Sequence, residues 1–341
     1  MMNLNQKLRR TSKFKMKNLL ILGGSGYIGA VLIPNLLKEN YNIINIDNLV
    51  YGQKDHNLKI YKKNKFKSTY THLNYDFRKI KKLKIDKKKL SGVIILGGLV
   101  GDPITKKYPN LSKTINRTGI LSCLNYLKKQ NLKLIFVSTC SNYGLRSKNS
   151  LATETSKLRP LSLYSKDKVF IEEYLKKNKF SFSYTILRFA TAFGISPKMR
   201  FDLTISDFIH QMYFKKKIDV YDADTWRPYC HVIDFARTIS VVLKAKKSLI
   251  HNQIFNVGSN SNNYTKRKII REITKLGIKA NINFLKNDVD PRNYRVNFSK
   301  IKNRLKINQK YTVKFGIKEL LQSFKKGKYK NSKKLGNYKI V

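Results

Sequence analysis

The sequence predicts an α/β fold, a doubly wound parallel sheet with a smaller C-terminal lobe. Two observations predict it. Short, almost wholly apolar runs (NLLIL, NIINI, GVIIL, KLIFV, YTILRF) alternate with stretches whose apolar residues recur at helical spacing. That is the pattern of strand–helix–strand units around a sheet buried on both faces. A glycine-rich turn, GGSGYIG, stands directly between the first such run and the first helical stretch. Turns of this kind open the ligand crevice of a parallel sheet.

Taken in order, residues 1–15 (MMNLNQKLRRTSKFK) are polar, basic and without periodicity, and read as a tail. NLLIL is the first strand, and GAVLIPNLLKEN the first helix, where Pro34 argues mildly against regular packing because it lacks an N–H. YNIINID, GVIIL, KLIFVS and SYTILRF follow as strands, separated by helical stretches such as GILSCLNYLKKQ and LYSKDKVFIEEYLKK. Residues 16–186 therefore form the first domain. Residues 187–325, with short strands (IDVYD, QIFNVG) and amphipathic stretches (KRKIIREITKLG, VKFGIKELLQSFKK), form mainly a second lobe, and 230–250 return to the first. The Lys-rich residues 326–341 read as a loose tail.

Among 341 residues, 71 Lys and Arg face 20 Asp and Glu, a formal charge of +51. The excess is mostly Lys and is spread over the whole chain beside abundant Asn and Ile, as in a composition drifting wherever the surface tolerates it. Such a field attracts phosphate-bearing substrates but does not by itself assign a nucleic-acid partner. No apolar run approaches the roughly 20 residues of a membrane span. Three cysteines, Cys123, Cys140 and Cys230, cannot all pair and have no metal-like spacing. Reduced thiols and a cytoplasmic location are expected, and no metal.

In GGSGYIG, Gly24, Gly26 and Gly29 fit G-x-G-x-x-G, and Gly23, Gly26 and Gly29 fit a G-x-x-G-x-x-G variant. Glycine serves there because the turn uses backbone angles a Cβ forbids and because a pyrophosphate must approach the backbone. The following helix offers free N–H groups and its positive end to the anion. Asp47 ends the second strand, eighteen residues beyond Gly29. A carboxylate there accepts both ribose hydroxyls and repels a 2′-phosphate, which favours NAD over NADP.

YSKDK places Tyr164 and Lys168 four apart, on one face of a helix. A Tyr near its ordinary pKa of about 10 is a poor base at neutrality. An adjacent ammonium favours the phenolate. The spacing alone means little, since YTKRK (Tyr264 to Lys268) repeats it. The first pair gains weight by opening a helix after the strand that ends in VSTCSNYG, where Thr139 can share a ligand hydroxyl with Tyr164.

These motifs together resemble the extended short-chain dehydrogenase/reductase family, the nucleotide-sugar epimerases and dehydratases, from Met16 to about Leu321. The resemblance implies a Rossmann-type sheet with NAD held by Gly23, Gly26, Tyr27, Ile28, Gly29, Asp47 and Asn48. Asp76 and Phe77 of YDFR would touch adenine, and Leu96, Gly97 and Gly98 would lie beside the cofactor, with glycines replacing the family's usual Leu-Ala-Ala run. Asn116 falls on an Asn that orders the active site and is expected at the cofactor with Tyr164 and Lys168. Thr139, Tyr164 and Lys168 fall on the catalytic triad. Thr191 (in place of a more usual Asn), Arg227 and Arg292 are expected to hold the substrate, the arginines at its phosphates. SPKMRFDL and DPRNYRV resemble a subgroup without a settled sugar, and His231 is expected to be structural. A homodimer is implied, packed through the helices that carry Asn116 and Tyr164.

In dehydrating members the two positions after the catalytic Thr commonly carry acids. Here they are Cys140 and Ser141. The first reading is therefore an NAD-dependent epimerase of a nucleotide-diphosphate sugar that works through a transient keto sugar. A second uses the same residues for net ketoreduction or dehydrogenation. A third is a non-catalytic NAD- or RNA-binding protein.

Overall fold

The computed structural model describes residues 16–52, 54–147, 150–286, 292–329 and 335–341. The expected tail at 1–15 lies outside these residues, as does part of the tail at 326–341.

Seven parallel strands form the main sheet: β1 (Lys17–Leu22), β2 (Tyr41–Ile46), β3 (Tyr70–Leu73), β4 (Leu90–Ile95), β5 (Lys133–Thr139), β6 (Ser183–Phe189) and β7 (Gln253–Val257). Their spatial order is β7-β6-β5-β4-β1-β2-β3. The chain winds outward from β1 to β3, then crosses to β4 on the other side of β1. The switch point thus lies between β1 and β4, whose pairing runs from Leu19 opposite Gly92 to Leu22 opposite Ile95. The carboxyl ends of these two strands carry the glycine turn and Leu96–Gly98, so the crevice opens where this topology places ligands.

The two faces of the sheet feed two apolar cores. Leu19, Ile21, Ile135 and Val137 point into one with helix Gly29–Lys38, and Leu20, Leu22, Leu134 and Phe136 into the other with helix Ile120–Leu127. Strands buried on both faces need the unbroken apolar runs seen in the sequence. Pro34 sits inside the first helix, which nevertheless continues to Lys38. Leu32, Ile33, Leu36 and Leu37 around it are buried, and their packing outweighs the hydrogen bond that proline removes.

The second lobe has its own core, with Phe193, Ile209, Tyr229, Ile269, Ile317 and Phe324 among its members. It carries a three-stranded sheet of Thr191–Phe193, Trp226–His231 and Asn263–Thr265. Between these pieces, helix Val232–Lys244 and β7 return to the main sheet, so the returning segment extends past 250 to Val257. The C-terminal residues are not loose where they are described. The Phe201 N–H donates to the Leu335 carbonyl at 2.9 Å, the Val341 N–H donates to that of Val50 at 3.0 Å, and Ile340 packs on the main core.

One ion pair is sealed beneath the sheet's carboxyl edge. Arg188 of β6 meets Glu172 of helix Leu163–Lys177 at 2.6 Å, with side chains 2% and 0% exposed. Glu172 also accepts from Ser138 at 2.5 Å and from Asn142 at 2.8 Å, and Arg188 donates to the Tyr143 hydroxyl at 3.0 Å. Removing one partner strands a buried charge. Glu172→Gln should therefore lower unfolding free energy by about 3–5 kcal/mol, read from urea denaturation.

Candidate active site

The glycine turn is held open by contacts a side chain would break. Gly23 has φ +77°, and a Cβ there would lie 2.2 Å from the Gly97 Cα. A Cβ on Gly29 would lie 2.0 Å from the Gly24 carbonyl oxygen, so the helix starts against the turn itself. On Gly26 the same atom would meet only the Gly23 oxygen at 3.6 Å, leaving that backbone approachable. Asp47 fixes the rim by accepting from the Ser25 N–H and the Leu49 N–H, each at 2.9 Å. Burial raises the Asp47 carboxyl, and these two N–H groups oppose the shift.

This turn forms one end of a cavity of about 370 Å³. Gly23, Gly26, Tyr27, Ile28 and Gly29 line it with Asp47 and Asn48. Asp76, Phe77, Leu96, Gly97 and Gly98 close its floor. Burial tends to raise the Asp76 carboxyl, but hydrogen bonds from Arg78 outweigh that and hold it below the usual range. The open backbone at Gly26, the rim carboxylate and the glycine-thin floor fit a dinucleotide.

Asn116 is not on the wall. It lies behind it, 2% exposed, accepting from the Leu99 N–H at 2.9 Å and donating to the Leu99 carbonyl at 3.1 Å. Its place is therefore that of a support for the 96–101 loop, consistent with ordering the site and not with direct contact.

Thr139, Tyr164 and Lys168 line the same cavity. Thr139 ends β5 and caps the turn Cys140–Tyr143, its hydroxyl accepting from the Ser141 N–H at 3.1 Å. Tyr164 stands in the first turn of helix Leu163–Lys177, whose start is fixed by the reciprocal Ser162–Ser165 capping box. One turn on, the Lys168 ammonium lies 5.9 Å from the Tyr164 ring centre and donates to the Val137 carbonyl at 2.8 Å. Burial pushes the Lys168 amine down to about 8, with Asp167 and Glu172 opposing. Without a cofactor the Tyr164 phenol is pushed up: burial dominates, Asp102 adds to it, and Arg200 opposes. The YTKRK pair, by contrast, does not reach the cavity, and Lys268 lies over the Tyr264 ring at 4.3 Å.

In VSTCSNYG, Ser138 and Thr139 both line the cavity, but the Ser138 hydroxyl donates to Glu172 at 2.5 Å, whereas that of Thr139 accepts from the Ser141 N–H. Cys140 turns into the core, its thiol against the Arg188 carbonyl at 3.2 Å, and Ser141 lines the cavity. Neither position after Thr139 brings an acid to the site.

Thr191, Arg227 and Arg292 are on the wall as well. Arg227 donates to the Trp226 carbonyl at 2.8 Å and to that of Arg292, and lies over the Tyr294 ring at 5.3 Å. Arg292 is ion-paired with Asp102. His231 is structural: Glu319 lies 3.1 Å from one ring nitrogen, and the Ile233 N–H donates to the other at 3.2 Å.

The wall also carries charged and phenolic groups not named as candidates from the sequence, among them Asp102, Lys198, Arg200 and Tyr294. Lys198, Arg200 and Tyr294 stand in motifs already singled out, SPKMRFDL and DPRNYRV. Arg200 pairs with Asp202 at 2.5 Å, and burial pushes the Lys198 amine down to about 8, opposed by Asp47. The segment that carries them is tied to the glycine turn, since Tyr27 donates to the Gly194 carbonyl at 2.5 Å and Ser196 to that of Tyr27 at 2.7 Å. Among the described residues no metal-binding cluster occurs, and no helix is long and apolar enough to cross a membrane.

Comparison with known proteins agrees with this geometry. The family model for the NAD dependent epimerase/dehydratase family matches residues 19–258. A UDP-glucuronate 4-epimerase of Thermodesulfobacterium geofontis is 28% identical over 315 residues, 88% of this chain and 93% of that one. The structure of UDP-glucuronic acid 4-epimerase from Bacillus cereus, in complex with UDP-glucuronic acid and NAD, is similar at TM-score 0.77 and 25% identity, covering 91% of this chain and 99% of that one. A dTDP-glucose 4,6-dehydratase from Bacillus anthracis, in complex with NAD, gives TM-score 0.76 and 25% identity over 92% and 98%. With its family match spanning most of the sheet and the triad, the chain belongs to the NAD dependent epimerase/dehydratase family of enzymes.

Proposed function

We propose that the protein epimerises a nucleotide-diphosphate sugar through a transient keto sugar. One observation carries the reading. Thr139, Tyr164 and Lys168 share a cavity with the glycine turn, while the dehydratase positions hold a core-facing thiol and a hydroxyl. When bound, NAD supplies a hydride acceptor and donor and a cationic ring that favours the phenolate. Tyr164 takes the proton of the sugar hydroxyl as that carbon is oxidised and returns it after the keto sugar has turned over. The Lys168 ammonium, held by the Val137 carbonyl, offsets part of the cost of charging a buried phenol. Thr139 hydrogen-bonds the same sugar oxygen. Asp47 accepts from the adenosine ribose, and Arg227 and Arg292 bear on the diphosphate.

We also infer a homodimer formed through helices Ile120–Leu127 and Leu163–Lys177. Phe170, 39% exposed beneath the Arg117 guanidinium, gives the second helix an apolar contact on its outer face. Three buried free thiols suit a reducing cytoplasm.

Tyr164→Phe should cut turnover by at least about 100-fold while NAD, released by denaturation and weighed by mass spectrometry, stays at wild-type stoichiometry. Turnover that survives the substitution, followed by NMR on UDP-sugars, would sink the mechanism. A wild-type protein that consumes NADH stoichiometrically would replace it with net ketoreduction.

The two depressed lysines set a pH dependence. A pyrophosphate entering the cavity favours the ammonium form of Lys168 and Lys198, so binding takes up protons at a pH above about 8. Affinity for NAD, measured by calorimetry, should fall as pH rises from about 7 to 9. The double variant Lys168→Met, Lys198→Met should bind more weakly and show a flattened dependence.

A further inference from the structure

Most basic groups on the cavity wall already have an acceptor. Lys168 donates to the Val137 carbonyl, Lys266 to that of Tyr221 at 2.7 Å, and Arg227 to those of Trp226 and Arg292. Arg200 is paired with Asp202, and Arg292 with Asp102. Lys198 differs from all of these. It lines the cavity and is 5% exposed, yet among the described residues its ammonium has neither a hydrogen-bond acceptor nor an ion-pair partner. The Tyr51 ring, centred 5.8 Å away, stands at the limit of a cation–π contact. The ammonium is not one of the polar atoms sealed from solvent, so a ligand in the cavity can reach it. A buried ammonium without an acceptor is costly, and one that faces a cavity calls for an anion there.

The surroundings say which anion. The Lys198 N–H donates to the Ser196 hydroxyl at 3.3 Å, and that hydroxyl donates to the Tyr27 carbonyl, one residue past the approachable backbone of Gly26. Lys198 is thereby fixed against the glycine turn. Tyr51 belongs to the rim loop that follows Asp47, and Asp47 is the charge that most favours the Lys198 ammonium. The two do not pair: the Asp47 carboxylate is bound to the Ser25 and Leu49 N–H groups. Arg200, two residues on, is instead the basic group that acts on the Tyr164 phenol. Lys198 thus belongs to the end of the cavity where Asp47 takes a ribose and the glycine turn takes phosphates, and Arg200 to the reacting end.

We propose that Lys198 is a cofactor-binding residue of the second lobe, whose ammonium pairs with the pyrophosphate of NAD together with the glycine turn. Both lobes then grip the cofactor, which slows its release between turnovers. The inference concerns NAD alone and does not depend on which sugar nucleotide is turned over.

The test compares the wild type with Lys198→Met and Lys198→Gln, each of which removes the charge. NAD, ADP-ribose and NADP are titrated by calorimetry into cofactor-free protein, UDP into NAD-saturated protein, and adenosine binding is followed by ligand-detected NMR. Both variants should lose about 10- to 100-fold in affinity for NAD and ADP-ribose, the scale of a hydrogen bond between charged groups, with adenosine and UDP unchanged. Cofactor-free Lys198→Met should melt no lower than the wild type, because a buried unpaired charge is gone, while NAD raises its melting temperature by less. Unchanged NAD affinity would overturn the proposal. A loss confined to UDP would overturn it in favour of the substrate diphosphate, and one confined to NADP in favour of a 2′-phosphate. Equal losses for adenosine and NAD in cofactor-free variants that melt below the wild type would also overturn it, since Lys198 would then only hold the fold.

Discussion

Much of the site depends on the buried pairing of Glu172 with Arg188. Glu172 sits on the helix that carries Tyr164 and Lys168, Arg188 on β6, and the partners of the one (Ser138, Asn142) and of the other (Tyr143) flank Thr139. A charge pair at this depth is stable only if geometry and further hydrogen bonds offset desolvation, and here each partner is bound by three or more groups. The consequence is positional. The helix, the strand end and the turn cannot shift independently, so the distance between the hydroxyl of Thr139 and that of Tyr164 is set from below. Asp167, fully buried and paired with Arg117 at 2.6 Å, does the same on the other side, through Ser112 and Asn116 to the loop that ends at Gly101.

This also makes sense of the composition. A chain with 20 acids against 71 basic residues spends several of the acids inside, as Asp167, Glu172 and Asp234 show at 0% exposure. Drift toward Lys is tolerated where a charge is solvated and of little energetic weight. It is not tolerated where a carboxylate is the sole counter-charge to a buried guanidinium or holds the active-site helix in register.

The parts of the site legible in sequence are those whose chemistry constrains neighbouring residues. Gly23, Gly26 and Gly29 follow from backbone angles and approach distances, Asp47 from a strand end, and Tyr164 with Lys168 from one helical turn. Asn116 was legible as a site residue, but its place behind the wall was not, because the spacing of an Asn on a helix does not say which way its amide bonds. Lys198, Arg200 and Tyr294 reach the cavity only after the second lobe has packed onto the first, and Asp102 only through the turn at Gly101 that follows β4. Their local sequence carries no period or turn signal that encodes such an approach. The C-terminal residues were hidden for a related reason: a Lys-rich stretch reads as solvated, yet Leu335 and Ile340 pack on the two cores, two backbone hydrogen bonds join it to Val50 and Phe201, and the Asn337 N–H donates to Asp202.

Nor is the site a simple positive trap. Arg200 is balanced by Asp202, Arg292 by Asp102, and the Lys198 amine is supported by Asp47. The Lys-rich exterior raises the local concentration of any anion at long range, an effect that salt screens. Within the cavity, cations matched to specific carboxylates discriminate by geometry, because each must be left satisfied when a ligand binds. Under the proposed function, phosphate recognition would fall to the open backbone at the glycine turn and to those guanidinium edges that can turn toward a diphosphate without abandoning their acids. Net charge therefore governs how often ligands arrive, and the internal pairing governs which of them stay.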